Sequence, residues 1–138
     1  MFHKELCIIK FKAMKQLISI EEMAMMAIAI YGISLLPIHI SWWLYPILFL
    51  SPDISMLGYA VNNTIGAFTY NLFHHKAVAI TVVAIGIISG NTYWLFTGLI
   101  LFAHSAFDRM MGYGLKYLTG FSYTHLGIIG NKQKAAAK

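Results

Sequence analysis

The chain has 138 residues, 59% of them hydrophobic and 11% charged, with a formal net charge of +5. A soluble domain of average make-up carries roughly 25% charged residues. This composition therefore has too little polar surface for a water-exposed fold and points to one domain in a membrane.

The basic residues gather at the ends: Lys4, Lys10, Lys12 and Lys15 precede the first apolar run, and Lys132, Lys134 and Lys138 follow the last. That reads as positive-inside topology. No soluble portion is large enough to present a basic reading face, so nucleic acid is not an expected partner. Residues 1–16 form a basic cytoplasmic arm, and its Cys7, the single cysteine of the chain, has no partner for an internal disulfide. Residues 17–36 are the first predicted span. Glu21 and Glu22 interrupt it in a way a signal peptide would not tolerate, and Pro37 marks its end. Residues 40–59 are the second, with Trp42, Trp43 and Tyr45 suited to an interfacial belt. Pro46 and Pro52 lie inside that run, which predicts a kink or a broken helix around Ser51-Pro52-Asp53. The polar stretch Val61-Asn62-Asn63-Thr64 turns the chain. Residues 66–89 are the third span, Gly90-Asn91 a tight turn, and 92–111 the fourth. Each run is close to the roughly 20 residues that cross a bilayer core.

The expected fold is thus all-α, an integral membrane four-helix bundle across 17–111 with both termini cytoplasmic. Residues 112–130 read as a short cytoplasmic or interfacial cap, and 131–138 as a tail.

The chemistry concentrates near the end of the fourth run. His104 and Asp108 are i and i+4, so both project from one face of a helix. Ionisable groups inside a hydrophobic span are costly and mark a site by default. At a rise of about 1.5 Å per residue, Asp53 falls roughly 9 Å, His74 about 12 Å, His104 about 10 Å and Asp108 about 5 Å from the cytoplasmic helix ends. Glu21 and Glu22 fall about one turn in on the same measure. All four predicted helices contribute to one polar layer. Four-helix bundles build metal sites from inward carboxylates and histidines, and the expected ligands are Asp53, His74, His104, Asp108 and Glu21, with Glu22 as the alternative to Glu21. Imidazole with carboxylate suits Zn, Mn or non-haem Fe. Arg109 and Lys116 are placed to grip an anionic group such as a lipid phosphate. Tyr70, four residues before His74, is expected to orient its ring. Asn71 is expected to line the same cavity. The adjoining His75 and Lys76 are expected to face the headgroups.

Three blocks, Pro52-Asp53-Ile54-Ser55-Met56-Leu57-Gly58-Tyr59, Gly66-Ala67-Phe68-Thr69-Tyr70-Asn71-Leu72-Phe73-His74 and His104-x-x-x-Asp108-Arg109-x-x-Gly112-Tyr113-Gly114-Leu115-Lys116-Tyr117, carry a resemblance to a small bacterial integral membrane family. Phe121-Ser122-Tyr123-Thr124-His125-Leu126-Gly127 extends it. The family is the one called domain of unknown function 4260. The resemblance implies an inner-membrane protein of about four helices, brings no activity, and adds His125, with Lys116, to the candidate site.

The reading that follows is a metal-dependent hydrolase or transferase acting on a lipid or amphiphile from the cytoplasmic side. Arg109, Lys116 and His125 would bind or protonate the substrate. The alternatives are a small oligomeric proton or ion transporter using the same carboxylates, haem held between His74 and His104, and a membrane protein whose polar layer serves packing alone.

Overall fold

The computed structural model describes the backbone of residues 2–129 and the side chains of that range except 2–9 and 11. The tail 131–138, the last cap residue at 130, and the side chains of Lys4 and Cys7 lie outside the described residues. Helix α1 is Phe2–Ser34, so the basic arm continues the first predicted span as one helix instead of standing apart from it. Then come α2 (Leu44–Leu50), a 3₁₀ helix (Ser51–Ala60), α3 (Asn63–His74), α4 (Lys76–Ser89) and α5 (Thr92–Met110). A two-stranded antiparallel hairpin, β1 (Tyr123–Thr124) and β2 (Gly127–Ile128), closes the described chain. The chain is mostly helical, in line with the all-α expectation.

The expectation of four spans is met only in part. Among the described residues one helical stretch, Lys12–Ser34, is long and apolar enough to cross a bilayer, or two if the bent pair α3–α4 is taken as one span. The physical reasons differ run by run. The second predicted span holds Pro46 and Pro52 and breaks into a 7-residue α-helix and a 10-residue 3₁₀ helix. Pro52 sits at the start of the latter, where a missing N–H is harmless. The third bends by 46° at His75. The fourth is 19 residues long, but His104, Ser105, Asp108 and Arg109 dilute its apolar character.

Local caps explain the boundaries. Asn62 accepts from the Ile65 N–H at 2.8 Å to start α3. Asn91 accepts from the N–H groups of Tyr93 and Trp94 at 2.9 and 3.3 Å to start α5. Between them Gly90, at φ +62°, ends α4 in the left-handed conformation that favours glycine.

Helix α5 lies between α1 and α4 and packs on both. Small residues let it approach closely. Ala103 and Ala106 are buried, and a Cβ on Gly98 would stand 2.6 Å from the Val83 backbone nitrogen of α4. Much of the outer surface is apolar, with Ile28, Trp42, Leu57 and Ile88 all exposed.

Candidate metal centre

Three elements bring the polar layer together. Helix α5 carries His104 and Asp108 on the face their i, i+4 spacing requires. His74 is the last residue of α3, and His75 follows it in an extended conformation (φ −88°, ψ 117°) while its ring caps α4 by accepting from the Ala77 N–H at 3.2 Å. This break frees the His74 carbonyl, which accepts a 2.6 Å hydrogen bond from the Ser105 hydroxyl. The end of α3 is thereby pinned beside His104. Asp53 comes from the first turn of the 3₁₀ helix, directly after Pro52.

Four ligand atoms, one each from Asp53, His74, His104 and Asp108, lie within 4.8 Å of one another. Asp53 Oδ1 is 3.4 Å from Nε2 of both histidines. Asp108 Oδ2 is 3.4 Å from His74 Nε2, and Asp108 Oδ1 is 3.8 Å from His104 Nε2. The two Nε2 atoms are 3.0 Å apart. A tetrahedral ion bound at about 2.0–2.2 Å separates its ligand atoms by about 3.3–3.6 Å. Three of the five separations match that edge, and the other two fall to either side of it. The residues could hold one metal ion. The donor set is two nitrogens and two carboxylate oxygens with no sulfur, which suits Zn, Mn or Fe(II).

The surroundings favour a cation there. Asp53 Oδ1 is buried and has no hydrogen-bond partner among the described residues, an arrangement that costs free energy unless something positive meets it. His74 Nδ1 lies 2.8 Å from the Tyr70 carbonyl, which can only accept. His74 therefore carries its proton on Nδ1 and turns a bare Nε2 lone pair into the cluster, the usual outer-sphere arrangement of a metal-binding histidine. The Tyr70 ring stacks on the His74 ring, with centroids 3.7 Å apart and planes 11° apart, and the Tyr70 hydroxyl donates to Asp108 Oδ2. Phe49 meets His104 edge-on. Both histidine side chains are almost fully buried, whereas those of Asp53 and Asp108 are 32% and 13% exposed. The accessible side of the cluster is its carboxylate side.

A family model matches residues 15–129, most of the chain. The protein belongs to the family described as Domain of unknown function (DUF4260). No curated protein and no solved structure matches it. All four clustered residues of this DUF4260 member fall in the matched range.

The other expected site residues have different surroundings. Glu21 is exposed and stands outside the four-residue group; its neighbour Glu22, about 100° further round α1, is buried. Glu22 does not join the cluster either. It accepts from Lys76 Nζ and lies 3.8 Å from Arg109 Nη1, forming a second polar centre that ties α1, α4 and α5 together. The single layer expected from helix depth is thus two clusters. Lys76, expected at the headgroups, is the cation of this triad, and it also contacts Met25 Sδ. Arg109 pairs with Glu22 and not with its sequence neighbour Asp108.

Lys116 is 4% exposed, and its Nζ sits over the rings of Phe121, Tyr70 and Tyr113 at 4.0, 5.0 and 5.7 Å. Burial pushes its pKa below the ordinary lysine value, while Asp108 and Asp53 pull the other way. Asn71 holds it in place. The Asn71 side-chain amide donates to the Lys116 carbonyl at 2.8 Å, and its oxygen accepts from the Lys116 N–H at 2.7 Å. His125 belongs to the cap, with Nδ1 accepting from the Leu115 N–H at 2.9 Å and its own N–H donating to the Leu115 carbonyl at 3.1 Å. Burial pushes its pKa down, and Arg109 adds to that.

Besides Asp53 Oδ1, His104 Nδ1 and Lys116 Nζ, the buried Ser55 Oγ and Tyr59 OH have no hydrogen-bond partner among the described residues. Sequence reasoning passed over both. Their signal was position, on the same short helix as Asp53.

Proposed function

We propose that this DUF4260 member is a membrane-embedded metalloprotein. Asp53, His74, His104 and Asp108 hold one divalent ion, Zn, Mn or Fe, and the protein hydrolyses or transfers a group on an amphiphile reaching it from the lysine-bearing side. The spacing of the four ligand atoms carries this reading. An ion held by such a set supplies an activated water and polarises a carbonyl or phosphoryl oxygen. Substrate would approach from the side where the two carboxylates are partly exposed. Lys116, enclosed by aromatic rings and coupled to Asp53 and Asp108, offsets charge beside the cluster, and Arg109 supplies a cation one residue beyond Asp108. The exposed apolar side chains of α1, α2, α4 and the 3₁₀ helix support a place in the bilayer. In this reading α1 and the bent α3–α4 pair are the crossings, the basic start of α1 lies on the cytoplasmic side, and the protein stays in the membrane pellet after alkaline carbonate.

Elemental analysis of purified full-length protein tests the centre. About one equivalent of Zn, Mn or Fe is expected by the ligand count, and Asp53→Asn together with His74→Gln should remove it. Protein that takes up none of the three after reloading with each in turn overturns the proposal.

One observation favours a second reading. His74 presents a bare Nε2 at 3.0 Å from His104 Nε2, so a proton on His104 Nε2 can bridge the rings with no metal present. The cluster would then be a proton-holding network of the kind the transporter alternative requires. In the outer half, however, the Thr81 and Thr97 hydroxyls bond to their own helix carbonyls at Ala77 and Tyr93. The geometry does not favour the haem alternative. Axial nitrogens across one iron stand about 4 Å apart, and 3.0 Å leaves no room for the macrocycle.

A further inference from the structure

A basic concavity lies where α1, the end of α5 and the closing hairpin meet. A cavity of about 450 Å³ opens between the first turns of the Lys12–Ser34 stretch, the end of α5 and the closing hairpin. Lys12, Lys15 and Arg109 line it, and none of its described lining residues is acidic. Ile18, Met110, Leu126 and Ile128 supply an apolar wall. The volume is within the range of about 300–1,000 Å³ typical of small-molecule sites.

Helix ends usually leave carbonyls that would repel an anion, but those of α5 are occupied. The carbonyls of Asp108, Arg109 and Met110 accept from the Tyr113 N–H at 2.7 Å, the Gly112 N–H at 3.0 Å and the Ser19 hydroxyl at 3.0 Å. Glu22, the carboxylate that Arg109 meets, is shared with Lys76. The charged residues among the described lining are all cationic. Lys12 begins the stretch able to cross a bilayer, and the cavity spans only its first two turns. That places it at headgroup depth.

We infer that this cavity binds a phosphate-bearing anion, with Lys12, Lys15 and Arg109 holding the phosphate and the apolar wall receiving the start of an acyl chain. The inference names the substrate class of the reading above and rests on its membrane placement. Arg109 adjoins Asp108 in sequence, and Tyr113 lines the cavity while its ring faces Lys116. A headgroup held here is therefore next to the elements that carry the metal cluster.

Full-length protein in detergent is titrated with dihexanoyl phosphatidic acid, dihexanoyl phosphatidylcholine and inorganic phosphate. Phosphatidic acid should bind more tightly than phosphatidylcholine, and Lys12→Gln with Lys15→Gln should weaken it about thirtyfold. Lys12→Arg with Lys15→Arg should retain binding, which separates loss of charge from loss of fold. Tighter binding of phosphatidic acid than of inorganic phosphate supports a lipid headgroup; equal binding supports the same site taking free phosphate. Binding that ignores the double glutamine variant, or equal affinity for the two lipids, overturns the inference. Metal content is measured on the same double glutamine variant, so failure of the metal centre and failure of this site are read separately.

Discussion

Tyr70 touches the cluster in three ways: its carbonyl accepts from His74 Nδ1, its ring stacks on His74, and its hydroxyl donates to Asp108. The first two survive replacement by phenylalanine, so Tyr70→Phe isolates the third. Losing an outer-sphere hydrogen bond to a ligand costs about 10–100-fold in metal affinity. Tyr70→Phe should weaken Zn binding by that factor in a competition titration with a chelator. Unaltered affinity would mean that Asp108 does not ligate. The convergence of Asp53, His74, His104 and Asp108 was legible because buried polar groups in an apolar chain are few, and their depth can be counted. The choice between Glu21 and Glu22 was not legible. On a helix apolar on nearly every side, periodicity does not say which of two adjacent carboxylates turns inward. Asn71 was legible as polar and near His74, but its partner is the backbone of Lys116, 45 residues on, and no local pattern encodes that.

Among the elements, the seam between α4 and α5 is set by glycine. A Cβ on Gly98 would meet the Val83 backbone nitrogen at 2.6 Å and the Ala79 carbonyl oxygen at 3.0 Å, whereas one on Gly32 of α1 would meet only the Leu99 side chain, at 3.4 Å and beyond. Backbone cannot yield as a leucine tip can. Close helix approach over small residues is what holds membrane helices together. Gly98→Ala should therefore lower stability by about 1–3 kcal/mol, the usual scale of overpacking, while Gly32→Ala stays near neutral; thermal unfolding in detergent reads both. Equal effects would place the tight contact elsewhere. The helix starts at Asn62 and Asn91 and the stop at Gly90 follow from residue type. The division of the second run was visible in Pro46 and Pro52. The break at His75 carries neither proline nor glycine. It is a tertiary effect, in which the freed His74 carbonyl is met by Ser105 of a different helix.

For the whole molecule, the apolar runs indicated a chain rich in helix, and among the described residues one helical stretch, or two with the bent α3–α4 pair, is long and apolar enough to cross a bilayer. Residues recruited into polar centres shortened or diluted those runs, and the Glu22, Lys76 and Arg109 centre shows what they do for assembly. Glu22 lies within the stretch of α1 that can cross a bilayer, where an unpaired carboxylate is expensive. Its side chain is 7% exposed and that of Lys76 is 15% exposed, so the pair is largely shielded from solvent. Removing one partner leaves the other charge buried and costs about 3–5 kcal/mol, whereas replacing both with apolar groups is often close to neutral. Lys76→Met should therefore destabilise the protein by about that amount. Glu22→Leu with Lys76→Met should recover most of the loss, short of full recovery because Arg109 then lacks its carboxylate. Unfolding in a denaturing detergent series measures the cycle. Additive losses would mean that Glu22 and Lys76 act independently of each other.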